Sequence, residues 1–161
     1  MKAFWKSVWV SVLLALVHLA QAACPTWPTT ERFRFDGAEV TDLRTGLVWA
    51  RCSVGQTWNG STCQGDAIAT FTHEGAFLYA KDLTGWRLPT RRELFSLADL
   101  GCYKPSIDAE AFPNTPSIRF WTSTPYVPAP ASAWMVIFDE GVVFRVGRYF
   151  PAAIRLVRTS Q

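Results

Sequence analysis

The apolar and polar positions in the middle of the chain change from an extended pattern to a helical one. Pro89 keeps the residue before it extended, and Thr90 and Glu93 have the three-residue spacing of a helix capping box. An apolar stripe with i, i+3, i+4 spacing then follows in Leu94, Leu97 and Ala98. This pattern predicts a helix over residues 91–100, with Gly101 as its stop signal.

Alternating apolar and polar residues predict a three-stranded antiparallel meander over residues 33–50. Gly37 interrupts the first pair of strands, and residues 44–46 supply a turn before the third strand. Asp42 lies just before that turn, where its side chain could either stabilise the turn or contact a ligand or metal. We favour the turn, because aspartate commonly hydrogen-bonds to the backbone two residues ahead.

A short strand over residues 67–71 and a second helix over residues 73–83 are predicted next. Thr72 is the expected N-cap of this helix. Its inner stripe comprises Ala76, Tyr79, Ala80 and Leu83. His73 is the only histidine after residue 22, and we expect it at the surface. A serine–histidine–aspartate triad would have to use this residue.

The last third of the chain predicts β-strands, with candidates over residues 119–124, 133–138, 142–146 and 154–158. Residues 139–141 join the middle two strands as a hairpin, while residues 101–119 and 127–132 are predicted loops. Phe112 is expected to fill the core. Three large rings are also assigned to the core, namely Trp86, Trp121 and Trp134.

Residues 1–22 have the pattern of an export signal, with two lysines before an apolar run and a small-x-small cleavage site. We therefore expect a lead-in over residues 23–32 and one domain over residues 33–158. An uncleaved anchor is disfavoured because the apolar run is short for a membrane span. Lipidation at Cys24 is a second alternative. No other stretch is apolar enough to span a membrane, so no stable span is expected after cleavage, and the expected location is periplasmic or extracellular.

The overall charge of the chain does not indicate a particular class of binding partner. The chain has 16 Lys and Arg against 13 Asp and Glu, and removal of two lysines with the signal leaves 14 against 13, a net charge of +1. A nucleic-acid partner is therefore not expected. The basic residues after the signal are all arginine except Lys81 and Lys104. Arginine suits bidentate pairing with carboxylate, sulfate or phosphate, although pairing with the chain's own acids is the simpler interpretation.

All four cysteines lie after the expected signal, which in an oxidising compartment predicts two disulfides. Three connectivities exist. Cys52 and Cys63 bracket a tight turn at residues 59–60, so a local bridge between them is the natural choice, and Cys24–Cys102 remains. A four-cysteine zinc site is disfavoured because no Cys-x-x-Cys pair is present.

The capped segment also resembles the signature of the Lcl C-terminal domain family, named after the C-terminal domain of a bacterial collagen-like adhesin. The residues that carry this resemblance are Trp86, Arg87, Leu88, Pro89, Thr90 and Glu93. Further matching segments occur in the same order, at residues 40–42, 45–49, 52–63, 112–116, 121–126 and 155–158. The resemblance covers residues 33–158, and most members of the family have no known function.

Residues 155–158 and the tryptophan-arginine-leucine-proline-threonine motif also resemble C-type-lectin-like and formylglycine-generating-enzyme-like folds. This resemblance implies a single α+β domain of C-type-lectin-like architecture. We expect antiparallel hairpins, two helices, long loops, two disulfides and both termini in one sheet. A calcium-dependent sugar site is not predicted, because residues 112–114 lack the first carboxylate of the lectin tripeptide. No metal or cofactor is expected.

The resemblance to an adhesin domain implies an exported, non-enzymatic binding module for acidic or sulfated polysaccharide at the bacterial cell surface. The candidate contacts are Arg119, Tyr126, Arg145, Arg148 and Tyr149. The alternative is a structural or assembly component of the envelope or pilus apparatus that contacts other envelope proteins. An enzyme is the least favoured class, because no nucleophile and base converge in the pattern. The oligomeric state is left open.

Overall fold

The computed structural model describes residues 24–159, so the expected export signal lies outside the described residues. Its elements in chain order are α1 Thr29–Arg32, β1 Phe33–Asp36, β2 Glu39–Asp42, β3 Leu47–Ala50, β4 Thr57–Trp58, β5 Cys63–Gln64, α2 His73–Lys81, α3 Arg91–Phe95, β6 Arg119–Pro125, β7 Ser132–Ile137, β8 Val142–Gly147 and β9 Val157–Thr159. The sheets are antiparallel and the helices are short. The α+β prediction is confirmed.

The first and last strands lie in one four-stranded sheet, ordered β1-β2-β3-β9. The predicted meander over residues 33–50 is therefore correct, and β9 adds to its far edge with Trp49 opposite Val157. Asp42 stabilises the turn as expected, because its carboxylate accepts a hydrogen bond from the Arg44 amide at 3.0 Å. Both ends of the described chain thus close in one sheet.

A second sheet of three strands, ordered β6-β7-β8, positions most of the candidate site residues. Ile137 pairs with Val142 across the predicted hairpin turn. Because side chains alternate along a strand, the two faces of this sheet contact different apolar clusters. Phe120 and Val136 pack with α3 and the four-stranded sheet. Trp121 and Met135 pack with α2.

Both disulfides form as predicted. Cys52 is bonded to Cys63, and Cys24 is bonded to Cys102. The first bridge closes the loop that carries β4 and β5. The second fastens the lead-in to the main body, where the Thr26 amide also donates a hydrogen bond to Asp99 at 2.7 Å. Two disulfides in one small domain fit a protein that is exported to an oxidising compartment.

The capping box before α3 forms, but the helix is shorter than predicted. The Glu93 amide donates to Thr90 Oγ1 at 3.2 Å, and the Thr90 amide donates to a Glu93 carboxylate oxygen at 2.7 Å. The helix then ends at Phe95 and not near residue 100. After Phe95 the amides of Leu97 and Ala98 donate to carbonyls three residues back, and the Asp99 amide donates to the Ser106 carbonyl at 3.1 Å, so the four-residue hydrogen-bond pattern of the helix stops. The Ser96 carbonyl accepts from Arg32 Nη2 at 2.6 Å.

Two other local predictions were wrong. The predicted strand over residues 67–71 is absent, and only Phe71 pairs, as an isolated bridge with Ala152. The Ile68 amide instead donates to the Val54 carbonyl at 2.8 Å, which folds the segment onto the loop at Gly55. The helix count was also wrong, because α1 adds a third short helix to the two expected. Thr72 caps α2 as predicted.

The core contains Phe112 and Trp121 as predicted, but Trp86 and Trp134 are only half-buried. It also contains Arg155, whose side chain is fully buried. The Arg155 guanidinium donates to the carbonyls of Ala50 and Arg51 and to the hydroxyls of Ser53 and Thr115. None of these acceptors is an acid, so this arginine joins the end of β3, the disulfide loop and the loop before β6 through neutral groups.

None of the helices in the described part of the chain has the length and apolar character needed to cross a bilayer.

Candidate functional site

One face of the three-stranded sheet, at the end where β6 finishes and β7 begins, carries two adjacent aromatic rings flanked by two cations. Trp134 and Arg145 are register partners on β7 and β8, so their side chains share one face. The Tyr126 ring meets Trp134 edge-on, with centroids 5.3 Å apart. The guanidinium carbon of Arg145 lies 4.6 Å from the Tyr126 centroid, and that of Arg91 lies 4.7 Å from the Trp134 centroid. These four residues are called the cation–aromatic row.

Local backbone contacts hold the row in place. The Arg91 amide, at the start of α3, donates to Thr124 Oγ1 at 2.9 Å, which fastens the helix to the end of β6. The Tyr126 amide donates to the Ser132 carbonyl at 3.0 Å, which fixes the chain where it leaves β6. The capping box fixes where α3 begins. The cations and rings therefore come from α3, β7, β8 and the segment after β6, which the fold brings together.

The two arginines of the row have no acidic partner among residues 24–159. The ion pairs within 4.0 Å in that range are Arg32–Asp42, Arg87–Glu93, Lys104–Asp139 and Arg158–Glu39. Arg91 and Arg145 are both exposed. A guanidinium packed on a ring face uses its flat surface and keeps the in-plane N–H groups for hydrogen bonds. These donors match the paired oxygens of a carboxylate or sulfate.

A shallow groove of about 550 Å³ continues from the row along α3. Its walls are Arg91, Arg92, Phe95, Ser96 and Val143. Arg92 adds a third exposed cation, and Phe95 adds a ring that is 37% exposed. The groove therefore extends the positively charged surface beyond the row.

A separate cavity of about 670 Å³ lies at the start of α2. It is lined by Thr72, His73, Glu74, Phe77, Arg148 and Tyr149 and is called the α2 cavity. The His73 amide donates to the Arg148 carbonyl at 2.9 Å, so the first residue of α2 is fastened to the loop after β8. Tyr149 is 76% exposed and stacks on Phe150 with centroids 4.8 Å apart.

His73 is buried, with 3% of its surface exposed, so the expected surface position was wrong. Its Nε2 lies 3.0 Å from the Thr122 carbonyl, and because a carbonyl can only accept, Nε2 carries the proton. Burial lowers the pKa of His73 and the nearby Arg148 cation lowers it further, while the hydrogen bond to Thr122 raises it. The spacing of His73, Ala76 and Ala80 is i, i+3, i+7, and this signal could have placed the histidine on the inner face of α2.

The five predicted contact residues do not converge on one site. Arg145 and Tyr126 belong to the cation–aromatic row, whereas Arg148 and Tyr149 line the α2 cavity. Arg119 lies apart from both, because it pairs with Ile137 at the hairpin end of the sheet, opposite to the end that carries the row. Sequence patterns missed Arg91 as a contact residue because its neighbour Trp134 is 43 positions away in the chain and was assigned to the core.

Within residues 24–159, no three His, Cys, Asp or Glu side chains come together in a way that could hold a metal ion. All four cysteines are bonded in disulfides.

The fold and the site together define a small disulfide-bonded α+β domain with an arginine-rich, aromatic surface on one face of a sheet. The model of the Lcl C-terminal domain matches residues 38–158, three quarters of the chain, and the chain belongs to this family. Membership associates it with cell-surface adhesins. A search of curated proteins finds none that matches the sequence.

Proposed function

We propose that the chain is an exported binding domain that holds acidic or sulfated polysaccharide at the bacterial cell surface. The observation that carries this proposal is the cation–aromatic row, in which Arg91 and Arg145 flank Trp134 and Tyr126. The membership of an adhesin-associated family supports the same class of function.

The row suits a repeating anion better than a single one. An exposed ion pair contributes only about 0.2–1 kcal/mol, so one arginine would hold one anionic group weakly. Arg91, Arg92 and Arg145 lie along the same surface on two adjoining elements. A polysaccharide that bears an anionic group on many of its sugars could engage these cations together, and the summed contacts would give useful affinity.

We propose that the domain binds the polysaccharide and does not cleave it. The cysteine thiols, which would be the strongest nucleophiles, are consumed in the two disulfides. The Nε2 atom of His73 is engaged with the backbone carbonyl of Thr122 and not with a side-chain hydroxyl or thiol. These contacts favour a binding domain over a hydrolase.

Chromatography on immobilised heparin tests the proposal. The purified protein should be retained at low ionic strength and released as salt is raised, because exposed charges are screened by salt. The double variant R91A/R145A should lose retention with little change in melting temperature, since both side chains are exposed.

A matched control is the double variant R34A/R44A, which removes two exposed arginines at the other sheet, one on β1 and one in the turn before β3. Arg44 also packs on a ring, that of Trp27, at 5.5 Å, so the control reproduces the charge change and, at one of its two positions, the packing on a ring. Equal loss of retention in both double variants, or no retention of the unaltered protein at low salt, would overturn the proposal.

The outer face of α2 favours a second candidate, a structural or assembly component that contacts another envelope protein. Phe77, Leu78 and Tyr79 are consecutive on this helix and are 43%, 58% and 37% exposed. Co-purification with an envelope protein that is lost in Leu78→Asp, while heparin retention is unchanged, would support this candidate over polysaccharide binding.

A further inference from the structure

We propose that the α2 cavity binds one uronic acid unit, a six-membered sugar ring that bears a carboxylate. The inference rests on the proposed function for the general class of ligand, an acidic polysaccharide. It concerns a different site from the cation–aromatic row, and it names the sugar chemistry that this site selects.

The size and the walls of the cavity suit a sugar ring. Its volume of about 670 Å³ lies within the range of small-molecule sites. Tyr149 stacks on Phe150 with an interplanar angle of 29°, and with 76% of its surface exposed it offers a broad aromatic surface to a ligand. Aromatic rings of this kind pack against the apolar C–H face of sugars through dispersion and hydrophobic contact.

Gly147 allows Tyr149 to take this position. A Cβ atom at residue 147 would lie 2.6 Å from Cε1 of the Tyr149 ring, which is closer than real contacts allow. The ring therefore rests against the backbone where no side chain intervenes. The position of the exposed Tyr149 ring therefore depends on the glycine two residues before it.

The charged and polar groups of the cavity define what the ligand must carry. Arg148 is half-buried and has no carboxylate within 4.0 Å among the described residues, so it can take a ligand carboxylate. Glu74 is exposed and has no cationic partner within 4.0 Å among the described residues, so its carboxylate can accept hydrogen bonds from hydroxyl groups. The cavity thus presents one site for an anion and one for a hydrogen-bond donor.

His73 supplies a second acceptor. Its Nε2–H is used by the Thr122 carbonyl, and burial lowers its pKa, so the ring is neutral at pH 7. A neutral ring protonated at Nε2 has its lone pair at Nδ1. Two acceptors and one cation around an aromatic platform are complementary to two hydroxyls and one carboxylate on a ring. A simple sulfate or an aliphatic acid would satisfy Arg148 and leave both acceptors unused.

Titration of the purified protein with sodium galacturonate, followed by amide NMR, tests this inference. The expected result is saturable shifts at the amides of residues 72–75 and 147–150, with a Kd on the order of 1 mM. Methyl galactoside, which has the ring and hydroxyls without the carboxylate, should bind at least about tenfold more weakly. Arg148→Gln and Tyr149→Ala should each weaken galacturonate binding by about tenfold or more.

Tyr103→Ala is the matched control for the tyrosine, because Tyr103 is 66% exposed but lies beside Lys104, outside the cavity. It should bind galacturonate as the unaltered protein does, and so should R91A/R145A. No shift at tens of millimolar galacturonate would overturn the inference, as would equal binding of methyl galactoside or loss of binding in R91A/R145A. Heparin retention that persists while galacturonate fails to bind would overturn this inference alone and leave the proposed function standing.

Discussion

Arg87 and Glu93 form a bidentate ion pair, with Nη1–Oε2 and Nη2–Oε1 distances of 2.8 and 2.7 Å. The same carboxylate accepts from the Thr90 amide and so completes the capping box. The backbone of Arg87 pairs with Val157 in both directions, at 2.9 and 3.0 Å. One motif therefore joins the extended segment, the start of α3 and the C-terminal part of the chain, and its residues are structural.

Thr90→Ala should lower the free energy of unfolding by about 1 kcal/mol, because the Glu93 amide loses its side-chain acceptor. Thr90→Ser keeps the hydroxyl and serves as the control. Urea denaturation of the three proteins at one pH measures the difference. A serine variant as unstable as the alanine variant would show that the methyl group, and not the cap, is responsible.

Glu93→Gln should destabilise the protein at neutral pH by about 1–2 kcal/mol and have a smaller effect in acid. The hydrogen bond from Arg87 is the main cause that lowers the pKa of Glu93, and the contacts with Thr90 lower it further against the opposing effect of burial. A carboxylate with a lowered folded pKa contributes stability above its unfolded pKa, and this contribution is lost as pH falls through the folded pKa.

The measurement is the stability gap between the unaltered protein and Glu93→Gln, taken by urea denaturation at about pH 7 and about pH 3. Both proteins share every other acid, so changes common to the two curves cancel. A gap that stays constant over this interval would contradict the ionic contribution of Glu93 and leave only the packing of its side chain.

Arg155→Lys should lower the free energy of unfolding by about 3 kcal/mol, which is large for a conservative change. The guanidinium donates to Ser53 Oγ at 3.2 Å and to Thr115 Oγ1 at 2.7 Å, besides two backbone carbonyls, and one ammonium group cannot reach acceptors on so many sides. Burial lowers the pKa of Arg155 to about 9, so the side chain stays charged at neutral pH.

Arg158→Lys is the control for Arg155→Lys. Arg158 is partly exposed and pairs with Glu39, so its replacement should cost less than about 1 kcal/mol. If urea denaturation gives the same loss of unfolding free energy for both variants, the stabilising role of the buried Arg155 hydrogen bonds is contradicted.

Local sequence patterns correctly predicted contacts between residues that are close together in the chain. The capping box needs only Thr90 and Glu93, and the 52–63 bridge needs only a short loop with a turn. The length of α3 could not be predicted, because the chain after Phe95 makes contacts outside the helix: the Asp99 amide donates to the Ser106 carbonyl, and the Ser96 carbonyl accepts from Arg32, 64 residues away in the chain. The cation–aromatic row could not be predicted either, because Arg91 and Trp134 meet only after α3 packs on the three-stranded sheet.

The separation of Arg145 from Arg148 has a different cause. The sequence places both near the end of one strand, but side chains alternate between the two faces of a sheet. Arg145 shares its face with Trp134, and Arg148 lies beside the His73 end of α2, which packs on the other face. Strand alternation could have predicted this split if the strand end had been known.

Gly147→Ala should weaken galacturonate binding several-fold and leave the melting temperature almost unchanged. The new Cβ would collide with the Tyr149 ring, and because that ring is mostly exposed it can move away at little cost. Parallel NMR titration and thermal denaturation check both parts. Unchanged affinity would contradict the platform position of Tyr149, whereas a large fall in melting temperature would show that the glycine supports the fold.

His73→Gln should flatten the dependence of stability on pH between about 7.5 and 5. Burial is the main cause that lowers the pKa of His73, and the Arg148 cation adds to it. The unfolded chain therefore binds a proton near the ordinary value of 6.5 while the folded chain does not. The unaltered protein has this stability in full above that value and loses it as pH falls towards the lowered folded pKa, by up to about 1.4 kcal/mol per pH unit.

Glutamine suits this experiment because its amide can still donate to the Thr122 carbonyl, as His73 Nε2–H does. Urea denaturation of both proteins across the interval gives two curves, and their difference isolates His73, since Glu74, Arg148 and the other charged groups are common to both. The curve of the unaltered protein should fall more steeply as pH is lowered. Parallel curves would mean that the folded protein accepts the proton as readily as the unfolded chain, which is incompatible with a neutral, buried ring.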